Sequence, residues 1–169
     1  MTIILNKIKG LMTTIEEKIH FGFIEKGLTL SLAESCTGGF LTARLTPLAG
    51  CSQYFLGSVV AYSNHVKINV LGVDKTLLGE QGAVSKGVVG EMADGIIRLT
   101  GSDYSIAVSG VAGPGGGNEQ KPVGTICAAI GRKGRSPVTW SFQLTGERVE
   151  IMDRAVDVLL DRLYASLQE

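Results

Sequence analysis

Ser35, Lys67 and the glycine run Gly110–Gly117 are the parts of this sequence whose types and spacing could do chemistry. Ser35 sits in Glu34-Ser35-Cys36-Thr37-Gly38-Gly39, between a short apolar run and the helical pattern that starts at Phe40. Amides at such a strand–turn–helix junction lack intrahelical acceptors, so they suit a phosphate or a developing oxyanion. A hydroxyl beside them is the arrangement that acyl transfer needs. On pattern, Ser35 and Thr37 read first as helix N-caps, and G-x-S-x-G is absent, so no nucleophile elbow is indicated.

A serine nucleophile needs a base. Tyr62 and Lys67 follow the next predicted strand, and a lysine can serve if burial lowers its pKa. Lys67 lies between Val66 and Ile68 in a charge-poor stretch, which favours desolvation, although a single lysine is more commonly solvated. Ser63 and Lys67 are four apart, which is not S-x-x-K spacing. The run Ser109-Gly110-Val111-Ala112-Gly113-Pro114-Gly115-Gly116-Gly117 is neither a P-loop nor G-x-G-x-x-G. Its glycines could let backbone amides close on an anion or a ring, or could form a plain connection. Cys36 is a rival nucleophile, but no histidine stands at a motif position to hold a thiolate, so it reads as a small buried side chain. His20 and His65 form no metal-ligand spacing.

The elements that must position these groups alternate. Helices are expected over 14–26, closed by Gly27, over 40–45 before Pro47, over 86–100 with Ser85 as N-cap, and over 148–167. Strands are expected over 28–33, 55–62, 104–109, 124–130 and 138–144, while 64–73 is ambiguous, read as a helical turn. This order predicts a single layered α/β/α domain with a mostly parallel sheet, residues 1–13 forming a leader. Glu34–Gly39, Tyr62–Lys67 and Gly110–Gly117 each follow a strand, and in such sheets ligands bind beyond the carboxyl ends.

Composition limits the alternatives. Sixteen Lys+Arg balance 16 Asp+Glu, which argues against a dedicated nucleic-acid or acidic-membrane binder. The longest stretch without acidic or basic residues, Leu45–Val66, is broken by Pro47, Gly50 and Asn64, so no membrane span is expected. Three cysteines without CxxC spacing exclude a disulfide scaffold and a zinc ribbon, and no signal peptide is evident, so a reducing, cytoplasmic setting is expected.

Six blocks in order resemble the CinA C-terminal domain family: Ala33–Gly39, Tyr54-Phe55-Leu56-Gly57, Ala61-Tyr62-Ser63-Asn64, Gly82-Ala83-Val84-Ser85, Ser109–Gly117 and Lys121-Pro122-Val123-Gly124-Thr125. The likeness spans Thr14 to Leu167. It implies a nicotinamide-nucleotide amidohydrolase, which converts nicotinamide mononucleotide to nicotinic acid mononucleotide and ammonia without metal or organic cofactor. Carried across by motif, Ser35 is the nucleophile and Lys67 and Tyr62 activate it. The oxyanion and the substrate phosphate would be met from Thr37, Gly38, Gly39, Gly110, Gly113, Gly115, Gly116, Gly117 and Arg148, the last in Thr145-Gly146-Glu147-Arg148. The resemblance also implies a homo-oligomer, and the length implies the form without an N-terminal molybdopterin-binding-like domain. Two positions depart from the family: His65 stands where an acidic residue is common, and Met152 where a second arginine is common. The competing readings are a nucleotide-binding or oligomerisation module without catalysis, and hydrolysis of a different small amide.

Overall fold

The computed structural model describes residues 14–169; the expected leader, residues 1–13, lies outside them. Helix α1 (Ile15–Lys26) starts at a capping box in which Thr14 and Glu17 satisfy each other's backbone amides, and stops at Gly27 in the left-handed conformation. Then come β1 (Leu30–Glu34), α2 (Phe40–Leu45), β2 (Phe55–Val60) and α3 (Asn64–Asn69). They are followed by α4 (Lys75–Gln81), α5 (Lys86–Thr100), β3 (Tyr104–Gly110), β4 (Thr125–Arg132), β5 (Arg135–Gln143) and α6 (Arg148–Leu167). Ser63, Asp74 and Ser85 cap α3, α4 and α5 through their side chains.

The five strands form one sheet in the order β2-β1-β3-β4-β5. β1 pairs parallel with both β2 and β3, whereas β3–β4 and β4–β5 are antiparallel. Four strands thus share a direction and β4 opposes them, as the expected mostly parallel sheet requires. After β1 the chain crosses to β2 on one side, then to β3 on the other, so the strand order reverses at β1. That reversal opens a crevice at the carboxyl end of β1, and Ser35 is the next residue.

Alternation along the strands separates two cores. Leu30, Leu32, Ile106, Val108, Ile126, Ala128 and Ile130 face α1, α2 and α6, which contribute Ile19, Phe23, Leu41, Ile151, Leu159 and Leu163. On the other face, Ala33, Ala107, Cys127 and Ala129 meet Val88, Val89, Met92 and Ile96 of α5. Small residues on that face let α5 come close enough for the Ser105 hydroxyl to donate to the Ala93 carbonyl at 2.9 Å. The helix is pressed equally hard from outside: a Cβ on Gly95 would lie 2.0 Å from the Leu71 carbonyl oxygen. Gly95→Ala is therefore expected to destabilise the fold by about 1–3 kcal/mol, a fall of roughly 2–12 °C in Tm for a chain of this size, readable by calorimetry.

Several elements differ from the sequence expectation: β1 is Leu30–Glu34 rather than 28–33, β2 stops at Val60 rather than Tyr62, a 3-10 turn forms at Cys51–Gln53, and α4 and the start of β5 were not foreseen. Helix α4 has one buried residue, Leu78, so it leaves no apolar period to read. β5 starts at Arg135, three residues early, because its first residues are exposed along the sheet edge and carry no apolar alternation.

Candidate active site

Because β1, β2 and β3 are parallel, the segments after Glu34, Val60 and Gly110 all emerge on one edge of the sheet. The start of β4 and the end of β5 reach that edge too, so the turn before α6 delivers Arg148 to it. A cavity of about 220 Å³ lies there, lined by Ser35, Cys36, Tyr62, Asn64, Lys67, Ala83, Val84, Ser109, Gly110, Ala112 and Arg148.

At its floor, Lys67 Nζ lies 2.8 Å from Ser35 Oγ and 2.6 Å from the Ala61 carbonyl oxygen. Lys67 is 1% exposed and Ser35 8%. Burial holds the Lys67 ammonium below the ordinary lysine pKa of 10.5, opposed only by the Cys36 thiol. That thiol is itself pushed up to about 12 by burial, so it stays neutral and offers the amine no counter-charge at neutral pH. As an ammonium, Lys67 donates to both oxygens. As a neutral amine it keeps one N–H on Ala61 and turns its lone pair to the serine proton, without moving. Cys36, with so high a pKa, is a poor thiolate nucleophile.

The turn between β1 and α2 is folded around the Glu34 carboxylate. Glu34 is fully buried and accepts from Thr37 Oγ1, Gly39 N, Leu41 N, Thr42 N and Thr42 Oγ1 at 2.6–3.1 Å. The Gly38 amide donates to the Ser35 carbonyl at 3.1 Å. Gly38 and Gly39 therefore have no amide to spare for an oxyanion, and Thr37 turns its hydroxyl to Glu34 and is fully buried away from the cavity. Among the described residues, the Thr37 amide meets no acceptor and the Cys36 amide faces only its own thiol. They are the two that directly follow the serine.

The remaining expected residues divide. Tyr62 is 60% exposed at the cavity rim. Its hydroxyl accepts from Arg148 Nη2 at 2.7 Å and makes no hydrogen bond to Ser35 or Lys67. Arg148 Nη1 also donates to the Gly113 carbonyl at 2.7 Å, fixing the guanidinium across the mouth. Gly110 lines the cavity because it has no side chain: a Cβ there would fall 2.5 Å from Ile126 Cδ1 and 3.1 Å from Cys36 Sγ. Gly115, Gly116 and Gly117 are exposed and do not line it. His65 is exposed on α3 and joined to Asn69. Met152 packs on the core below the Gly38 turn, where its Cε is 3.9 Å from the place a Gly38 Cβ would occupy.

Sequence reasoning did not select Asn64, Ala83, Val84, Ser109 or Ala112 as site residues. All lie inside the blocks quoted above, so position was their only signal. A second cavity, about 240 Å³, lies between β5 and the end of α6 and includes Trp140, Arg135 and Arg162. No lysine or histidine lines it, and its one carboxylate, Glu169, is paired with Arg132. Among the described residues, no group of three His, Cys, Asp or Glu could hold a metal ion, and no helix is long and apolar enough to cross a membrane.

Fold and site together define an α/β domain with a buried hydroxyl–amine pair at the switch point of its sheet. The CinA C-terminal domain profile matches residues 12–167, and the chain belongs to that family. A CinA-like protein of Mycobacterium sp. (strain JLS) is 45% identical over 143 residues, covering 85% of this chain and 34% of the relative. One from Chlorobium limicola is 40% identical over 161 residues, covering 93% and 38%. The chain thus spans about a third of the length of these curated relatives. Among solved structures, the competence damage-inducible protein A (ComA) of Klebsiella pneumoniae superposes with a TM-score of 0.88 at 36% identity, covering 92% of this chain and 96% of that one. The competence/damage inducible protein CihA of Agrobacterium tumefaciens gives 0.86 at 34% identity, covering 94% and 100%.

Proposed function

We propose that this domain is a nicotinamide-nucleotide amidohydrolase that hydrolyses the carboxamide of nicotinamide mononucleotide. The observation that carries the reading is the 2.8 Å contact between Ser35 Oγ and the buried Lys67 Nζ inside a cavity. Neutral Lys67 takes the Ser35 proton as Oγ attacks the carboxamide carbon. The negative oxygen of the tetrahedral intermediate is met by the amide of Cys36, the residue after the serine that lines the cavity. Lys67 returns the proton to the amide nitrogen, the C–N bond breaks and ammonia leaves. Lys67 then deprotonates a water, which attacks the Ser35 ester and releases the carboxylate and the serine hydroxyl.

The cavity is smaller than the roughly 300–1,000 Å³ usual for a drug-sized ligand. Only the reacting end of a nucleotide fits inside, and the rest lies across the mouth toward Arg148. Tyr62 serves in this reading as a rim residue that holds Arg148, rather than as an activator of Ser35. Arg148 is the cation placed to receive the phosphate. Arg148→Ala is expected to raise KM for the mononucleotide about 10–100-fold, in line with the loss of a charge-assisted hydrogen bond, while leaving KM for the dephosphorylated riboside nearly unchanged. Steady-state kinetics on both substrates checks this.

The test of the function itself is ammonia release by the purified protein from a panel of pyridine nucleotides and other small amides. Release from nicotinamide mononucleotide supports the reading. Release only from another amide reassigns the substrate, and binding without release makes the domain a nucleotide-binding module.

A further inference from the structure

We infer that Glu34 is a positioning residue for the nucleophile: its buried carboxylate shapes the turn that carries Ser35 and the Cys36 amide to the cavity. The inference rests on the serine–lysine reading above and names a residue that the chemistry does not itself touch. Glu34 is 0% exposed and does not line the cavity, so it meets no substrate. Yet it draws five donors from residues 37–42 onto its two oxygens. A helix of six residues does not need so many acceptors at its start, since solvent or a single cap suffices at most helix ends. What the excess determines is the path of residues 36–39. With Gly39, Leu41 and Thr42 turned to the carboxylate and Gly38 to the Ser35 carbonyl, the Cys36 amide is left facing only its own thiol, at the cavity wall beside Ser35.

The main chain of the same residue reaches the base. The Glu34 carbonyl accepts from the Ala61 amide at 2.7 Å, and the Ala61 carbonyl accepts from Lys67 Nζ at 2.6 Å. Ser35, Glu34, Ala61 and Lys67 therefore form a closed circuit of covalent and hydrogen bonds, completed by the contact between Lys67 and the Ser35 hydroxyl. The backbone half of this circuit survives substitution of the side chain. The carboxylate half does not, and the two contributions can be separated.

The test uses the whole chain and a fluorophosphonate, a probe without nucleotide character. Ser35 Oγ attacks phosphorus, fluoride leaves, and the proton passes to Lys67. In Glu34→Gln one oxygen becomes an amide nitrogen that cannot accept, so the turn loses part of its cradle. The variant is expected to be labelled at Ser35 to the same endpoint as wild type, one probe per chain, at a rate lower by about 10–100-fold. Thr42→Val, which removes one donor and keeps the carboxylate, is expected to slow labelling about 3–10-fold in the wild-type background and not further in Glu34→Gln. It also serves if Glu34→Gln does not fold. A wild-type labelling rate in either variant overturns the inference. So does an endpoint that falls with an unchanged rate constant, which would mean that Glu34 only supports folding. A wild type labelled at Ser35 but inactive on nicotinamide mononucleotide, with Glu34→Gln still slow, supports the inference and overturns only the substrate assignment.

Discussion

Ser35→Ala is expected to lower ammonia release from nicotinamide mononucleotide by about 10³-fold or more, the scale on which loss of a covalent nucleophile falls, with KM nearly unchanged. The hydroxyl lies at the cavity floor, contributes little surface to ground-state binding, and forms its decisive bond only as the carboxamide carbon becomes tetrahedral. Alanine fits the space without strain, so the fold and the nucleotide affinity should persist. Ammonia release under saturating substrate, with nucleotide binding followed by calorimetry, checks both halves. Retained turnover at the wild-type rate would mean that another group, or a directly activated water, attacks the amide.

Lys67→Met is expected to cost about 10²–10⁴-fold, the range for a general base, and to add little to Ser35→Ala, because the two side chains act on one proton. Lys67→Arg should fail as well: a guanidinium keeps the charge but cannot release its proton near neutral pH. The sign of the pH dependence follows from burial. Desolvation favours the neutral amine, so Lys67 has a lowered pKa, and the form able to accept the serine proton is the deprotonated one. Wild-type kcat/KM should therefore rise tenfold per pH unit at the acid end and level off at an inflexion below 10.5, the ordinary lysine value. The rise should be absent from whatever activity remains in Lys67→Met. A profile that falls as pH rises would assign the active form to the ammonium and remove Lys67 as the base.

Much of this was legible in the sequence because three separate signals coincide at one edge. The buried runs of β1 and β3 end directly in polar, glycine-rich turns, and parallel strands bring such ends together. The caps at Gly27 and Ser85 were readable because each satisfies a local backbone need, whereas Thr14, read as part of the first helix, proves to be its cap. The roles of individual atoms were less accessible. Thr37, Gly38 and Gly39 look like anion binders because of where they fall in the chain, but whether an amide is free depends on its neighbours. Here the Glu34 carboxylate and the Ser35 carbonyl have claimed those of Gly38 and Gly39. Tyr62 looked like a partner of Lys67 from proximity in sequence, yet strand β2 ends in an extended turn that leaves its ring at the rim, where Arg148 from 86 residues away takes its hydroxyl. Lys67 itself carried the weakest local signal of the pair. Its burial goes with its contacts to Ser35 and to the Ala61 carbonyl, which no periodicity over six residues could announce.

The central claim is that Ser35 Oγ forms a covalent acyl intermediate. Its most direct test is rapid acid quenching during turnover, followed by mass spectrometry of the tryptic peptide spanning residues 27–44. The account predicts that this peptide gains the mass of nicotinamide mononucleotide less ammonia, that the added group maps to Ser35, and that it is absent from Ser35→Ala. Undiminished hydrolysis by Ser35→Ala, or an acyl group carried on a residue other than Ser35, would contradict it.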